Sequence, residues 1–172
     1  MKHAIIVAHP NETSFNLTMA RAYQAAVERA GHRAVLRDLY RIGFDPRLAD
    51  REIPRPTGFK AADDVESERA TIGGADVFVF VYPFWLNSPP AMLKGYLERV
   101  FGMGFAYEPG AGGAKPLLAG KRMVSITSSG APKDWVVSTG AWEAVVTLFD
   151  KHFAEVCGLA VVDHLHFGEI VP

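Results

Sequence analysis

The stretch AHPNETSFN, residues 8–16, gathers His9, Thr13, Ser14 and Asn16 just after an apolar run and just before a helix-like segment. Hydroxyl and carboxamide groups at a helix start join the free N–H groups of its first turn and the positive end of its dipole. That combination suits an anion such as phosphate. His9 adds a donor, or a full charge when protonated. The alternative is that Thr13 or Ser14 only caps the helix. The stretch is not a Walker A loop, because the Gly-Lys-Ser/Thr ending is missing. It is not the dinucleotide fingerprint, because no glycine lies between residues 1 and 30.

Two further stretches could do related work. YPFWLNSPP, residues 82–90, follows the most apolar segment of the chain and puts large apolar side chains at its exit. An aromatic wall for a flat ligand explains them, with main-chain groups giving polar recognition; an aromatic cluster of the core explains them too. TSSGAP, residues 127–132, supplies hydroxyls and a glycine that allows close approach, or forms a plain exposed turn. A phosphate grip beside an aromatic platform fits a planar, phosphate-bearing cofactor, and flavin fits best.

These stretches need a frame to bring them together. Strands are expected at 3–9, 33–39, 75–83, 121–130 and 159–167, and helices at 14–30, 61–72, 91–101 and 139–157. In the first helix Ala20, Tyr23, Val27 and Ala30 share one face, and Gly31 is placed to end it. Pro90 suits the first turn of the third helix, and Gly95 within that helix implies close backbone packing. Residues 40–60, with Pro46, Pro54 and Pro56, read as a long loop, and the glycine-rich 102–118 as another, mobile around GAGGAK. Alternating strands and helices imply right-handed βαβ units. The expected fold is α/β: a three-layer, doubly wound, five-stranded parallel sheet of the flavodoxin-like type, forming one domain over residues 1–172. Ligands in such sheets bind at the carboxyl ends of the strands. The three stretches fall there.

Composition narrows the function. The net charge of −1 over 172 residues, with both signs interspersed, argues against a nucleic-acid surface, a polybasic membrane patch and a strongly acidic electron carrier. The lone Cys157 excludes an intramolecular disulfide and a thiolate-rich zinc site, and reads as a buried structural thiol. His164 and His166 alternate along a strand and share a face, but they lack a third ligand, so no metal is expected. Neither a signal peptide nor a run of about 20 apolar residues is seen, and a cytoplasmic protein without membrane insertion is expected.

AHPNETSFN, then DLY (38–40) with FDP (44–46), then YPFW…PPAMLKGYLERVFGMGFAY (82–107), then GKRMVSITSSG (120–130) resemble, in order, the NAD(P)H:quinone oxidoreductase family. These are flavodoxin-fold flavoproteins that include quinone reductases and ancillary subunits of potassium-efflux systems. The resemblance implies FAD, or alternatively FMN, with NAD(P)H as co-substrate and a quinone as acceptor. It implies that His9, Thr13, Phe15 and Asn16 hold the phosphates and, for FAD, the adenosine end. Pro83, Phe84, Trp85 and Leu86 would line the isoalloxazine ring, and Thr127, Ser128, Ser129 and Gly130 would approach its pyrimidine side. Tyr107 would reach across a homodimer interface into the partner's substrate pocket. A regulatory subunit docked on a potassium-efflux antiporter is the alternative function.

The sequence departs from that family in three places. Trp135 stands where a tyrosine assists charge relay, and Ala141 where a histidine does, so a catalytic histidine there is not expected and Trp135 joins Tyr107 as a candidate. TSSG carries one glycine where the family has two. The sequence stops at Pro172, straight after the fifth strand, where the family continues into a further helix; this weakens FAD relative to FMN.

Overall fold

The computed structural model describes residues 1–55 and 58–171; Pro56 of the expected long loop and the terminal Pro172 lie outside the described residues. The element order is β1 (Lys2–Val7), α1 (Phe15–Arg29), β2 (Arg33–Asp38), α2 (Asp63–Ile72), β3 (Val77–Pro83), α3 (Ala91–Val100), β4 (Tyr107–Gly110), β5 (Gly113–Pro116), β6 (Arg122–Ser128), α4 (Lys133–Ser138), α5 (Ala141–Val145), a π-helical segment (Val146–Phe153), α6 (Ala154–Cys157) and β7 (Ala160–Phe167). Five strands make one parallel sheet in the order β2-β1-β3-β6-β7. This is the flavodoxin-like order, and its direction reverses between β1 and β3.

Alternating side chains of the central strands feed two apolar layers. Ile5, Val7, Val79, Val81 and Ile126 meet Leu17 and Ala20 of α1 on one face. Ala4, Ile6, Phe78, Phe80 and Tyr82 meet Leu93 and Tyr96 of α3 and Phe149 on the other. Every residue of β3 is buried, as its unbroken apolar run requires. Phe80 stands edge-on to Phe101, Phe149 and Phe153 at 5.5, 5.4 and 5.9 Å. Cys157 lies in this second layer, and burial pushes its thiol up to about 12.

The long loop is held by specific contacts. Gly95 lets Pro46 lie against α3; a Cβ there would collide with the Pro46 carbonyl oxygen. The Arg99 guanidinium reaches Glu52 at 3.0 Å, Asp64 at 2.7 Å and the Asp45 carbonyl at 2.5 Å. A 3-10 turn, Asp50–Glu52, supplies the Glu52 end of that network.

Three expectations need correction. Residues 102–118 are not all loop: GAGGAK turns an antiparallel hairpin of β4 and β5. The helix expected over 139–157 starts at Ala141 and changes winding, because Gly140 takes a left-handed φ of 75° and separates it from α4, a helix the sequence reading missed. The helix expected from residue 61 starts at Asp63.

Candidate cofactor-binding site

The first stretch is a tight, side-chain-built turn. Asn11 Oδ1 accepts from both the Thr13 amide and the Thr13 hydroxyl at 2.9 Å. The Asn11 amide donates to His9 Nδ1 at 3.1 Å, so the neutral His9 ring carries its hydrogen on Nε2. Burial holds His9 below the usual histidine range. Ser14 is the N-cap of α1: its hydroxyl accepts from the Leu17 amide at 3.2 Å. The amides of Phe15 and Asn16 are left with no acceptor inside the helix. Arg41 lies beneath this turn and donates to the carbonyls of His9 and Pro10 at 3.0 and 2.6 Å. It brings a cation, 3.7 Å from the Asp38 carboxylate, beneath the turn. Nothing in its sequence position marks it, because it sits in the loop after β2.

The second stretch divides in two. Pro83 and Phe84 are buried, whereas Trp85 is 43% exposed and Leu86 fully exposed. Leu86 and Asn87 take left-handed φ values of 51° and 55°, and mutual 3.1 Å bonds between Trp85 and Ser88 close the turn. The platform and core readings of this stretch each describe half of it.

The third stretch also divides. The Thr127 hydroxyl is fully buried and points inward, Ser128 and Ser129 are buried, and Gly130 is exposed.

Three contacts tie the stretches to each other at the carboxyl ends of β1, β3 and β6. The Ser128 hydroxyl donates to Asn16 Oδ1 at 3.0 Å. The Phe84 amide donates to the Ser128 carbonyl at 2.6 Å. The His9 and Trp85 rings lie 5.6 Å apart. Phe15 packs edge-on against Phe167 of β7 at 5.3 Å, beside the same rim. The rim therefore offers free helix amides and an arginine-backed turn next to an exposed indole.

Tyr107 and Trp135 lie elsewhere. Tyr107 lines an apolar groove of about 340 Å3 with Leu97, Phe101, Leu148 and Phe149, and Asn87 and Ser88 form its end nearest the rim. Trp135 is half exposed on α4. Ala141 opens α5, against the apolar layer that holds Phe149.

The sequence reading missed a polar file behind the rim. The side chains of Asp150 and His164 are 6% and 5% exposed, and Asp150 Oδ2 lies 2.5 Å from His164 Nδ1. Thr127 Oγ1 is 2.9 Å from His164 Nε2 and 2.9 Å from His166 Nδ1, and His166 Nε2 is 3.0 Å from Ser129 Oγ. The shared face of the two histidines was the available signal. Asp150 gave none, because its inward direction depends on the π-helical winding. Among the described residues no cluster of three His, Cys, Asp or Glu side chains could hold a metal ion. Among the described residues no helix is long and apolar enough to cross a membrane.

Residues 1–171 match a protein family described as having a flavodoxin-like fold. The chain is 33% identical, over 99% of its length and 85% of the relative's, to an uncharacterized NAD(P)H oxidoreductase of Haemophilus influenzae. It is 34% identical to NAD(P)H dehydrogenase [quinone] 1 of Cavia porcellus, over 74% of this chain, and spans about half (53%) of that protein. Its fold superimposes on the solved NAD(P)H:quinone oxidoreductase from Methanothermobacter marburgensis with a TM-score of 0.88 and 30% identity, covering 100% of this chain and 86% of the other.

Proposed function

Because the chain belongs to the NAD(P)H:quinone oxidoreductase family of flavodoxin-like proteins, we propose that it is a flavin-dependent NAD(P)H:quinone oxidoreductase. The observation that carries this reading is the convergence of three loops on one rim, with unpaired helix amides beside the exposed Trp85. A flavin held there would supply hydride transfer from NAD(P)H to a quinone.

The residues fit such a group. The amides of Phe15 and Asn16 and the hydroxyl of Thr13 would hold its phosphates, with Arg41 adding positive potential. His9 and Trp85 would flank the tail and the ring. Pro83, Phe84 and Leu86 would line the ring, with main-chain groups meeting its polar edge. Ser128, Ser129 and Gly130 would meet the pyrimidine side through their backbone, since Ser128 already spends its hydroxyl on Asn16. Thr127 serves from behind, its hydroxyl turned away from the rim. Donors at that edge stabilise the negative charge of the reduced group.

The tail is read as that of FAD, with FMN as the alternative. In a cytoplasmic homodimer, Tyr107 would stand at the mouth of the partner's quinone pocket, and the groove it lines would lie at that junction. Trp135, exposed on α4, would cover the same pocket from the other side. None of the relatives named above is a transporter subunit, and the antiporter reading is set aside.

The test is reconstitution. The purified protein is mixed with FAD or FMN, the bound flavin is quantified by its visible absorption, and menadione reduction is followed with NADH and NADPH. A yellow protein that reduces menadione is expected. A protein that takes up neither flavin refutes the reading.

A further inference from the structure

The polar file behind the rim has a definite hydrogen count. Take His164 doubly protonated beside the Asp150 carboxylate. Its Nδ1–H then donates to Asp150 and its Nε2–H to Thr127 Oγ1. The Thr127 hydroxyl donates to His166 Nδ1, and His166 Nε2–H donates to Ser129 Oγ. The Ser129 hydroxyl donates to the Ala131 carbonyl at 2.7 Å. Every hydrogen then has one acceptor. Take His164 neutral instead. Thr127 now donates to His164, His166 Nδ1 donates to Thr127, and Ser129 donates to His166 Nε2, so the Ala131 carbonyl keeps only the Glu169 amide, 3.1 Å away. The two patterns differ by one proton, shifted along the whole file.

We propose that Asp150, His164, Thr127, His166 and Ser129 form a proton store whose outlet is the Ser129 hydroxyl, and that it supplies the proton each quinone reduction consumes. This rests on the functional reading above. The overall reaction is NAD(P)H + quinone + H+ giving NAD(P)+ + hydroquinone. Hydride carries both electrons and one proton, and the store gives the second proton. As the Ser129 hydroxyl turns from the Ala131 carbonyl and releases its proton to the site, His166 Nε2 passes one to Ser129. Thr127 passes one to His166 Nδ1, and His164 Nε2 passes one to Thr127. His164 ends neutral, and no electron moves along the file. Both ring nitrogens of His164 are already engaged, so reloading runs back through Ser129 from water.

The surroundings suit this role. Phe84 lies 4.8 Å from the His166 ring and Trp142 4.6 Å from the His164 ring, which keeps water from short-circuiting the file. The charged and titratable neighbours are Asp150 on the π segment, Lys133 on α4 and Tyr82 on β3. Burial keeps the Tyr82 phenol well above its ordinary range, and therefore neutral. Burial, the His164 charge and Lys133 push His166 down to about 4, so it is neutral near neutral pH and acts as a carrier.

The test uses Thr127→Val, which keeps the shape and removes the hydroxyl, with Thr127→Ser as the rescue and Ser129→Ala as an independent break at the outlet. In the flavin-free wild-type protein, 15N NMR of the histidine rings should show His166 exchanging its protonated nitrogen between the two patterns as pH is varied. In Thr127→Val, the His166 tautomer should stay fixed over the same pH range. In the flavin-loaded enzyme, Thr127→Val and Ser129→Ala should lower kcat for menadione about 100-fold on the alkaline side, with KM for NAD(P)H unchanged and Thr127→Ser near wild type. A wild-type enzyme that reduces menadione while both variants keep its pH profile overturns the store alone. So does a His166 ring whose tautomer ignores His164. A wild-type protein that binds flavin but reduces no quinone overturns the functional reading, and the store's role with it.

Discussion

Ser128 and Asn16 are separated by most of the chain, yet the Ser128 hydroxyl donates to Asn16 Oδ1 at 3.0 Å with both side chains buried. The bond fixes the distance between the first turn of α1 and the exit of β6. Asn16→Ala leaves the Ser128 hydroxyl buried without its acceptor, which costs about 1–3 kcal/mol. Urea unfolding should report that loss, and flavin titration should show a Kd raised about tenfold or more. Unchanged flavin affinity in a variant destabilised by this amount would show that the tie does not shape the site.

Trp85 offers a cleaner separation of binding from stability. It is nearly half exposed and touches His9 across the rim. Trp85→Ala should weaken flavin binding by about 1–3 kcal/mol, in the range of a lost aromatic stacking partner. Its thermal midpoint should stay within about 2 °C of wild type. Retention of full flavin affinity would remove the indole from the platform.

Gly95→Ala inverts the usual helix rule. Alanine is favoured over glycine in a helix interior by about 1 kcal/mol. Here the added Cβ would run into the carbonyl oxygen and Cβ of Pro46, so α3 and the long loop must separate. A net destabilisation of about 1–3 kcal/mol is expected from the urea midpoint. A stabilised variant would mean that the loop moves aside freely.

Arg99 holds the same loop electrostatically. Its side chain and that of Glu52 are 3% and 4% exposed, and its guanidinium also lies 5.2 Å over the Phe44 ring. Arg99→Ala strands a buried carboxylate and should cost about 3–5 kcal/mol. Arg99→Lys keeps the charge but loses the fork that spans Glu52 and Asp64, and should fall between the two. Equal stability of the two variants in urea would show that charge alone matters.

Acid should weaken the protein through its histidines. Burial lowers His3, His9 and His166, the last to about 4. An unfolded histidine titrates near 6.5, so between about 4 and 6.5 the unfolded chain binds more protons and stability rises with pH. Stability from these groups is complete above about 6.5 and is lost as pH falls toward 4. His166→Asn removes the deepest of these shifts, so its urea midpoint should drop less between pH 7 and 4.5 than the wild type's. Parallel curves would contradict the assignment.

The sequence shows the fold well because its strongest signals are periodic. The apolar run of β3 demanded burial on both faces, and Ser14 and Gly31 mark the ends of α1 at the residues the structure uses. The candidate site was legible as three loops that meet at one rim, because they lie at strand exits of a parallel sheet, where ligands sit in such folds. What stayed hidden depends on direction rather than spacing. Nothing local says that Thr127 turns inward while Gly130 stays open, that Phe84 is buried while Trp85 is not, or that Asp150 faces the sheet. Arg41 acts through two backbone carbonyls, a role that leaves no motif. The GAGGAK hairpin was obscured because glycine serves tight turns and free loops alike.

Each tie across the rim joins elements that meet only when the sheet is assembled: β1's exit to β3's through His9 and Trp85, β3's to β6's through the Phe84 amide, and β6's back to α1 through Ser128. A chain with only its first two strands paired has no rim to offer. On the proposed function, the rate of flavin uptake during refolding should therefore follow formation of the β3–β6 ladder rather than the rise in helical signal.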